Sequence, residues 1–434
     1  MEAMTVQARA AARRAPASFP ILAAAMVGAT VAYGLAATAL GHDLGTSLAP
    51  FAGSWSPRAG PLALPAAGVL AAGASVAPRL RREAIPPVRF AAAVLALGLA
   101  LRLALGVARD GVPGLYQVFQ LGHFEAASEY LPASPAFDFG TRFFLDTFAQ
   151  VGPSLPVNAV GHPPGLLVTI HLLGIRSAQG LAAFTIGTGA LSIPLAYLLA
   201  RRLLDERRAR TATLLYLFAP SAVLLGATSA DALYATLALV AVLGLLGRRV
   251  LLGASAFAVA AFFSYANLAV GAFATLVAWR REGVRAAAVV AGACGLTLIG
   301  SLALLHLATG YDPLGAIRSA ESVYREGIAS TRPYAFWLFG SPAAFLVALG
   351  PVTAWYALRA VPAGDPAALA LVAVLVVAAL LGFTKAETER IYLFLVPPAC
   401  MAAAVRLPER LLPAALWALA AQALAVELLV DTVW

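Results

Sequence analysis

Apolar runs of membrane-spanning length recur from residue 18 to residue 430, and they decide what this chain can become. A helix of about 20 apolar residues matches the ~30 Å hydrocarbon core of a bilayer. The 434 residues are 61% hydrophobic and 12% charged, with a mean hydropathy of +0.84. Soluble domains carry roughly 25% charged residues. A soluble enzyme, a nucleic-acid binder and a disordered tail are therefore excluded, and an all-α polytopic transmembrane bundle is expected. Cys294 and Cys400 both fall inside apolar runs, so no disulfide framework is implied.

Stretches bounded by charge, proline or glycine fall near 20–41, 61–79, 88–108, 178–200, 211–228, 231–247, 250–266, 267–280, 285–307, 334–358, 366–384, 391–405 and 411–430. That makes about thirteen spans, several of them short. The first reads as a retained span and not as a cleaved signal peptide, because no small-residue cleavage site follows it. The segment 164–176 is apolar but short, and parity places it at the outer membrane boundary.

Charge sets the sidedness. The connection 201–210 holds Arg201, Arg202, Arg207, Arg208 and Arg210 and is assigned to the cytoplasm, with the N-terminal Arg9, Arg13 and Arg14. In this topology twenty of the thirty basic residues are cytoplasmic. The acidic loop 109–163 and the loop 308–333 face outward, and all five histidines map to the outer half. Long loops on a membrane scaffold usually carry function, so the working face is expected to be extracytoplasmic. The expected location is the plasma membrane of a bacterium with a GC-rich, alanine- and arginine-rich coding bias.

Loop 109–163 mixes Asp110, Glu125, Glu129, Asp138 and Asp146 with aromatics at helical spacing, Phe144 and Phe148 four apart and Phe137 two turns earlier. This suits interfacial helices with their rings in the lipid boundary. Its acids are either solvated loop residues or include a general base. Gly161-His162-Pro163-Pro164-Gly165 then marks a helix start, whose dipole also favours an anion near His162.

The order of these motifs resembles the GT-C superfamily of integral-membrane glycosyltransferases, which includes protein O-mannosyltransferases and the aminoarabinose transferase. The matching residues run over roughly 95–405. They are an outward-ending span, Glu129-Tyr130 in an acidic loop, the His-Pro-Pro motif, and a span ending in Ala200-Arg201-Arg202-Leu203. Phe218-Ala219-Pro220-Ser221, an outer turn with Asp231, and Glu389-Arg390-Ile391-Tyr392 before Pro397-Pro398 complete it. The usual Asp or Asp-Glu after the first core span is here loosened into Glu125 and Glu129, with Asp110 nearer the span end. Two spans precede the core. The resemblance thus divides the chain into an N-terminal extension (1–87), a core with the first outer loop (88–308) and C-terminal spans with outer connections 308–333 and 384–390 (309–434).

What the resemblance implies is an inverting transfer of a sugar from a polyprenyl-phosphate donor to a glycan, lipid or protein acceptor of the cell envelope. A carboxylate takes the acceptor proton, in the order Glu129, Glu125, Asp110. His162, Tyr130, Asp231, Lys385, Arg390 and Arg332 are the expected substrate contacts, the cations meeting the phosphate leaving group. Lys385 is the single lysine of the chain.

Plainer accounts exist for each. The charges of 384–390 may simply pair with one another, Arg332 can be an interfacial anchor, and Asp231 can be a first-turn helix acid. Arg102 lies inside its span and either finds a partner or wet cavity, or snorkels outward.

No Walker A, GxGxxG, CxxC, HExxH or Asp-x-Asp motif occurs. No cofactor is called for, although Glu125 and Glu129 with His123 leave a divalent metal open. The alternative function is a secondary transporter or lipid flippase, which calls for midplane charges and an internal repeat. A non-catalytic scaffold is the third.

Overall fold

The computed structural model describes residues 18–432, and Arg9, Arg13 and Arg14 lie outside the described residues. The chain is helical almost throughout, with one two-residue strand pair. Seven helices are long and apolar enough to cross a membrane: Ser18–Ala39, Ala63–Leu80, Pro87–Gly106, Ala178–Leu203, Val284–Thr309, Thr388–Arg406 and Glu409–Leu429.

Two bent pairs are long and apolar enough only when each is taken together, as a broken span or a re-entrant loop. Glu206–Phe218 meets Pro220–Thr228 at 60°, and Tyr334–Ala348 meets Pro351–Ala360 at 110°. Each break falls at a proline, which cannot donate a backbone hydrogen bond, and the second also has Gly350 at φ +95°. Counting each pair once gives nine spans where the apolar runs gave thirteen. The difference of four is length: Asp231–Leu245, Val250–Phe263, Leu268–Glu282 and Pro366–Leu381 have 15, 14, 15 and 16 residues. At 1.5 Å per residue they reach only ~21–24 Å, short of the ~30 Å core.

Close helix crossings use small residues. Gly244 and Gly253 bring the Asp231–Leu245 and Val250–Phe263 helices into backbone contact, where a Cβ on either would collide with the other chain. Arg102 neither snorkels nor meets Asp110. It is 3% exposed and donates through Nη1 to the Gly189 and Gly226 carbonyls at 3.0 and 3.4 Å. Its Nη2 reaches the Ser192 and Tyr216 hydroxyls, both at 3.4 Å. Neutral acceptors from three helices hold the buried guanidinium.

The two long connections fold against each other. Loop 109–163 contains the helix Thr141–Val151 and several single turns, and loop 308–333 contains the helix Pro313–Glu326, which packs on Thr141–Val151. Asp312 caps Pro313–Glu326 by accepting from Leu314 N at 3.0 Å and Gly315 N at 2.9 Å. The rings expected in the lipid boundary are inside: Phe137, Phe144 and Phe148 are buried and form a separate core with Tyr130, Tyr234 and Tyr311. The segment 164–176 is the helix Gly165–Leu172 of eight residues, too short to cross.

A third connection, 40–62, joins the helices Ser18–Ala39 and Ala63–Leu80. Its strand Ser54–Trp55 (β1) pairs antiparallel with Val430–Asp431 (β2), near the end of the chain. Trp337 Nε1 donates to the Leu44 carbonyl at 3.0 Å, and Ala52 N donates to Glu389 Oε1 at 2.9 Å. The connection is thereby fastened to the segments that carry the outer charges.

Candidate functional site

Of the charges of 384–390, only Glu387 and Arg390 pair with each other, and their pair is part of a row that crosses the fold. Ser229 Oγ donates to Asp231 Oδ2 at 2.7 Å, so the turn before the Asp231 helix aims that carboxylate. Arg390 donates to Asp231 at 2.9 Å and to Glu387 at 2.8 Å. Glu387 also accepts from Arg332 at 2.8 Å. Asp231 and Arg390 side chains are each only 5% exposed. Asp231 is therefore more than a first-turn helix acid: it anchors a buried alternating row, Asp231, Arg390, Glu387, Arg332. The two arginines hold the Glu387 carboxyl below the usual carboxylate range despite its burial.

Lys385 serves the backbone. Its Nζ donates to the Arg332 carbonyl at 3.0 Å and the Ala329 carbonyl at 3.4 Å, while Arg332 Nη1 donates to the Lys385 carbonyl at 2.7 Å. Tyr324 Oη accepts from Lys385 N at 2.8 Å. Ala386 and Glu387 sit at φ +65° and +58°, a left-handed conformation that non-glycine residues adopt at a cost of about 1–3 kcal/mol. The ion pairs and reciprocal carbonyl bonds hold this turn.

Loop 109–163 supplies the other half. Asn158 Nδ2 donates to Glu129 Oε1 at 2.9 Å and to Glu125 Oε1 at 3.4 Å, joining the two carboxylates that stand four residues apart. His162 Nδ1 lies 2.8 Å from the Asn158 carbonyl, so that nitrogen carries the proton. Tyr130 Oη bonds Tyr234 Oη at 2.8 Å and lies 3.4 Å from His162 Nδ1. Burial holds His162 toward its neutral form, against the pull of Asp231. Burial and the carboxylates of Glu129 and Asp231 push the Tyr130 hydroxyl well above its ordinary value.

Between these halves opens a cavity of about 420 Å³. Glu125 and Asn158 line it from the first outer loop, Arg332 and Glu387 from the later connections, and Thr46 and Gly53 from the 40–62 connection. Burial pushes the Glu125 carboxyl up to about 7, with Arg390 pulling the other way. Arg332 is 8% exposed, and its Nε has no hydrogen-bond partner among the described residues.

Of the residues singled out in the sequence, Glu125 and Arg332 face the cavity. Glu129 (2% exposed), His162, Lys385 and Arg390 stand one contact behind the cavity wall, and Tyr130 and Asp231 stand two behind it, bonded to His162 and Arg390. Asp110 is elsewhere. It pairs with Arg58 at 2.8 Å and accepts from Gln117 at 3.0 Å. Among the described residues no three His, Cys, Asp or Glu side chains converge as metal ligands.

Three contributors escaped the sequence reading: Asn158, Glu387 as the shared carboxylate, and the 40–62 connection. Asn158 left a signal, because the chain contains only two asparagines, and the other, Asn267, is also buried. No family model, curated protein or solved structure matches this chain.

Proposed function

We propose that this protein is an extracytoplasmic membrane glycosyltransferase that takes its sugar from a polyprenyl phosphate. One observation carries the reading: a cavity in the outer connections holds a carboxyl that titrates near 7, Glu125, beside a buried cationic donor, Arg332. Those are the two groups that displacement at an anomeric carbon needs, a base for the acceptor and a cation for the departing phosphate.

In the proposed step the acceptor hydroxyl gives its proton to Glu125 as its oxygen bonds the anomeric carbon. The bond from that carbon to the phosphate oxygen breaks, its electron pair leaving with the lipid phosphate, and the configuration inverts. Glu125 replaces Glu129 as the preferred base because it reaches the cavity and Glu129 does not. Glu129 becomes a positioning residue that fixes the Asn158 amide between the two carboxylates. Arg332 replaces Lys385 and Arg390 as the phosphate contact because it lines the cavity and they do not; it would meet the phosphate as a member of its pair with Glu387. The outward orientation of this face rests on the distribution of arginines, with the N-terminus cytoplasmic and some crossings made by short helices.

The two spans broken at Pro220 and Pro351 favour a second reading, transport, because discontinuous helices are how many carriers build a midplane site. Purified protein in detergent with radiolabelled polyprenyl-phosphate mannose and polyprenyl-phosphate arabinose separates the two. Release of lipid phosphate that is lost in Glu125→Gln supports the transferase. Uptake of the labelled lipid or sugar by proteoliposomes without such release supports the carrier.

A further inference from the structure

We infer that the cavity is a subsite for a neutral, polyhydroxylated group, and that the 40–62 connection is its specificity wall. The inference rests on the transferase reading for its role, as the place of a saccharide acceptor, but not for its chemistry.

The lining decides the chemistry. Thr46, Ser47, Ser54 and Ser128 bring hydroxyls, and Asn158 brings an amide. Thr46 lines the cavity, and its Oγ1 has no hydrogen-bond partner among the described residues, so turning that hydroxyl toward a ligand breaks no existing bond. Glu125 and Asp431 add carboxylate acceptors, which suit the hydroxyls of a sugar. Phe124 also lines the cavity while remaining 68% exposed, an aromatic face available to the apolar C–H face of a sugar ring.

Charge excludes the alternatives. Arg332 is the one cation of the lining and is already paired with Glu387, while Glu125, Glu387 and Asp431 give three carboxylates. A polyanionic acceptor would meet repulsion there. The volume, about 420 Å³, lies within the range of roughly 300–1,000 Å³ common to small-molecule pockets.

The wall is fixed before any ligand arrives. Gly45, at φ +80°, packs against the Arg332 stem, and Gly53 would place a Cβ 2.5 Å from the Asp431 carbonyl oxygen. Arg58 N and Ser56 N donate to the Leu428 and Leu429 carbonyls at 2.8 and 3.0 Å, extending the β1–β2 pairing. A preorganised wall of this kind lowers the ordering cost of a weakly held ligand.

The test is saturation-transfer NMR on the full-length protein in lipid nanodiscs, with methyl α-mannobioside as the neutral probe and digalacturonic acid as the anionic one. The neutral disaccharide is expected to receive saturation, at least fivefold less in Phe124→Ala and in Thr46→Val, and undiminished in Thr46→Ser. Thermal melts confirm that each variant is folded. An absent neutral signal, a signal indifferent to both Phe124→Ala and Thr46→Val, or a stronger response from the diacid overturns the inference. Lipid-phosphate release is scored separately. Sugar binding without release would leave this inference standing and sink the transferase, and release without sugar binding at this cavity would do the reverse.

Discussion

Glu125 shows how burial in a loop raises a carboxyl toward neutral pH, as the proposed base requires. Its folded pKa, about 7, lies above the ordinary value of 4.5, because burial disfavours the charged form more than Arg390 favours it. A base must be deprotonated to act, so transfer should be slow at pH 5, rise through pH 7 and level off above it. A rate that is flat between pH 5 and 8 would remove Glu125 from that role. Glu125→Gln should cost about 10²–10⁴-fold in rate and abolish the pH rise, whereas Glu129→Gln should lower the rate but keep the rise. Single-turnover assays across pH distinguish the two. Helical spacing put these two acids on one face without separating them, and the family resemblance, through Glu129-Tyr130, ranked Glu129 first. What separates them is Asn158, which reaches in from 30 residues away and leaves one carboxylate in the wall and one beneath it.

Among elements, the buried row from Asp231 to Arg332 joins the start of one helix to two outer connections. Removing one partner strands a charge in a dry site, so Asp231→Ala should cost about 3–5 kcal/mol, visible as a lowered melting temperature in detergent. The double variant Asp231→Leu with Arg390→Met should recover much of that loss, since it removes the charges together. The crossing at Gly244 and Gly253 gives a second expectation. Gly253→Leu should destabilise or prevent assembly, while Gly187→Leu, with open space around its Cβ position, should express and melt like the parent. Thermal melts by tryptophan fluorescence check both.

Apolar segments announced a helix at every expected position, because hydropathy is local. Their crossing lengths were less legible: proline breaks and 14- to 16-residue helices appear as continuous apolar sequence. The aromatics of loop 109–163 misled for a related reason. Helical spacing cannot say whether a ring faces lipid or a second loop, and Pro313–Glu326 supplies that second loop.

On the scale of the whole molecule, the arginine distribution predicts an orientation that labelling can check. In a variant with Cys294→Ala and Cys400→Ala, Leu121→Cys in the first outer loop should react with an impermeant maleimide on intact cells. Arg208→Cys should react only after permeabilisation. The reverse pattern would invert the topology and place the cavity in the cytoplasm, where a lipid-phosphate sugar of the outer leaflet does not reach.

The pairing of β1 with β2 gives the cavity a history as well as a shape. Thr46 and Gly53 are made well before Asp431, their neighbour in the cavity wall. A chain halted after residue 400 therefore carries Glu125, Asn158 and Arg332 but neither Asp431 nor the strand that pairs with β1. The wall formed by 40–62 can be fastened on that side only once residue 431 has been made.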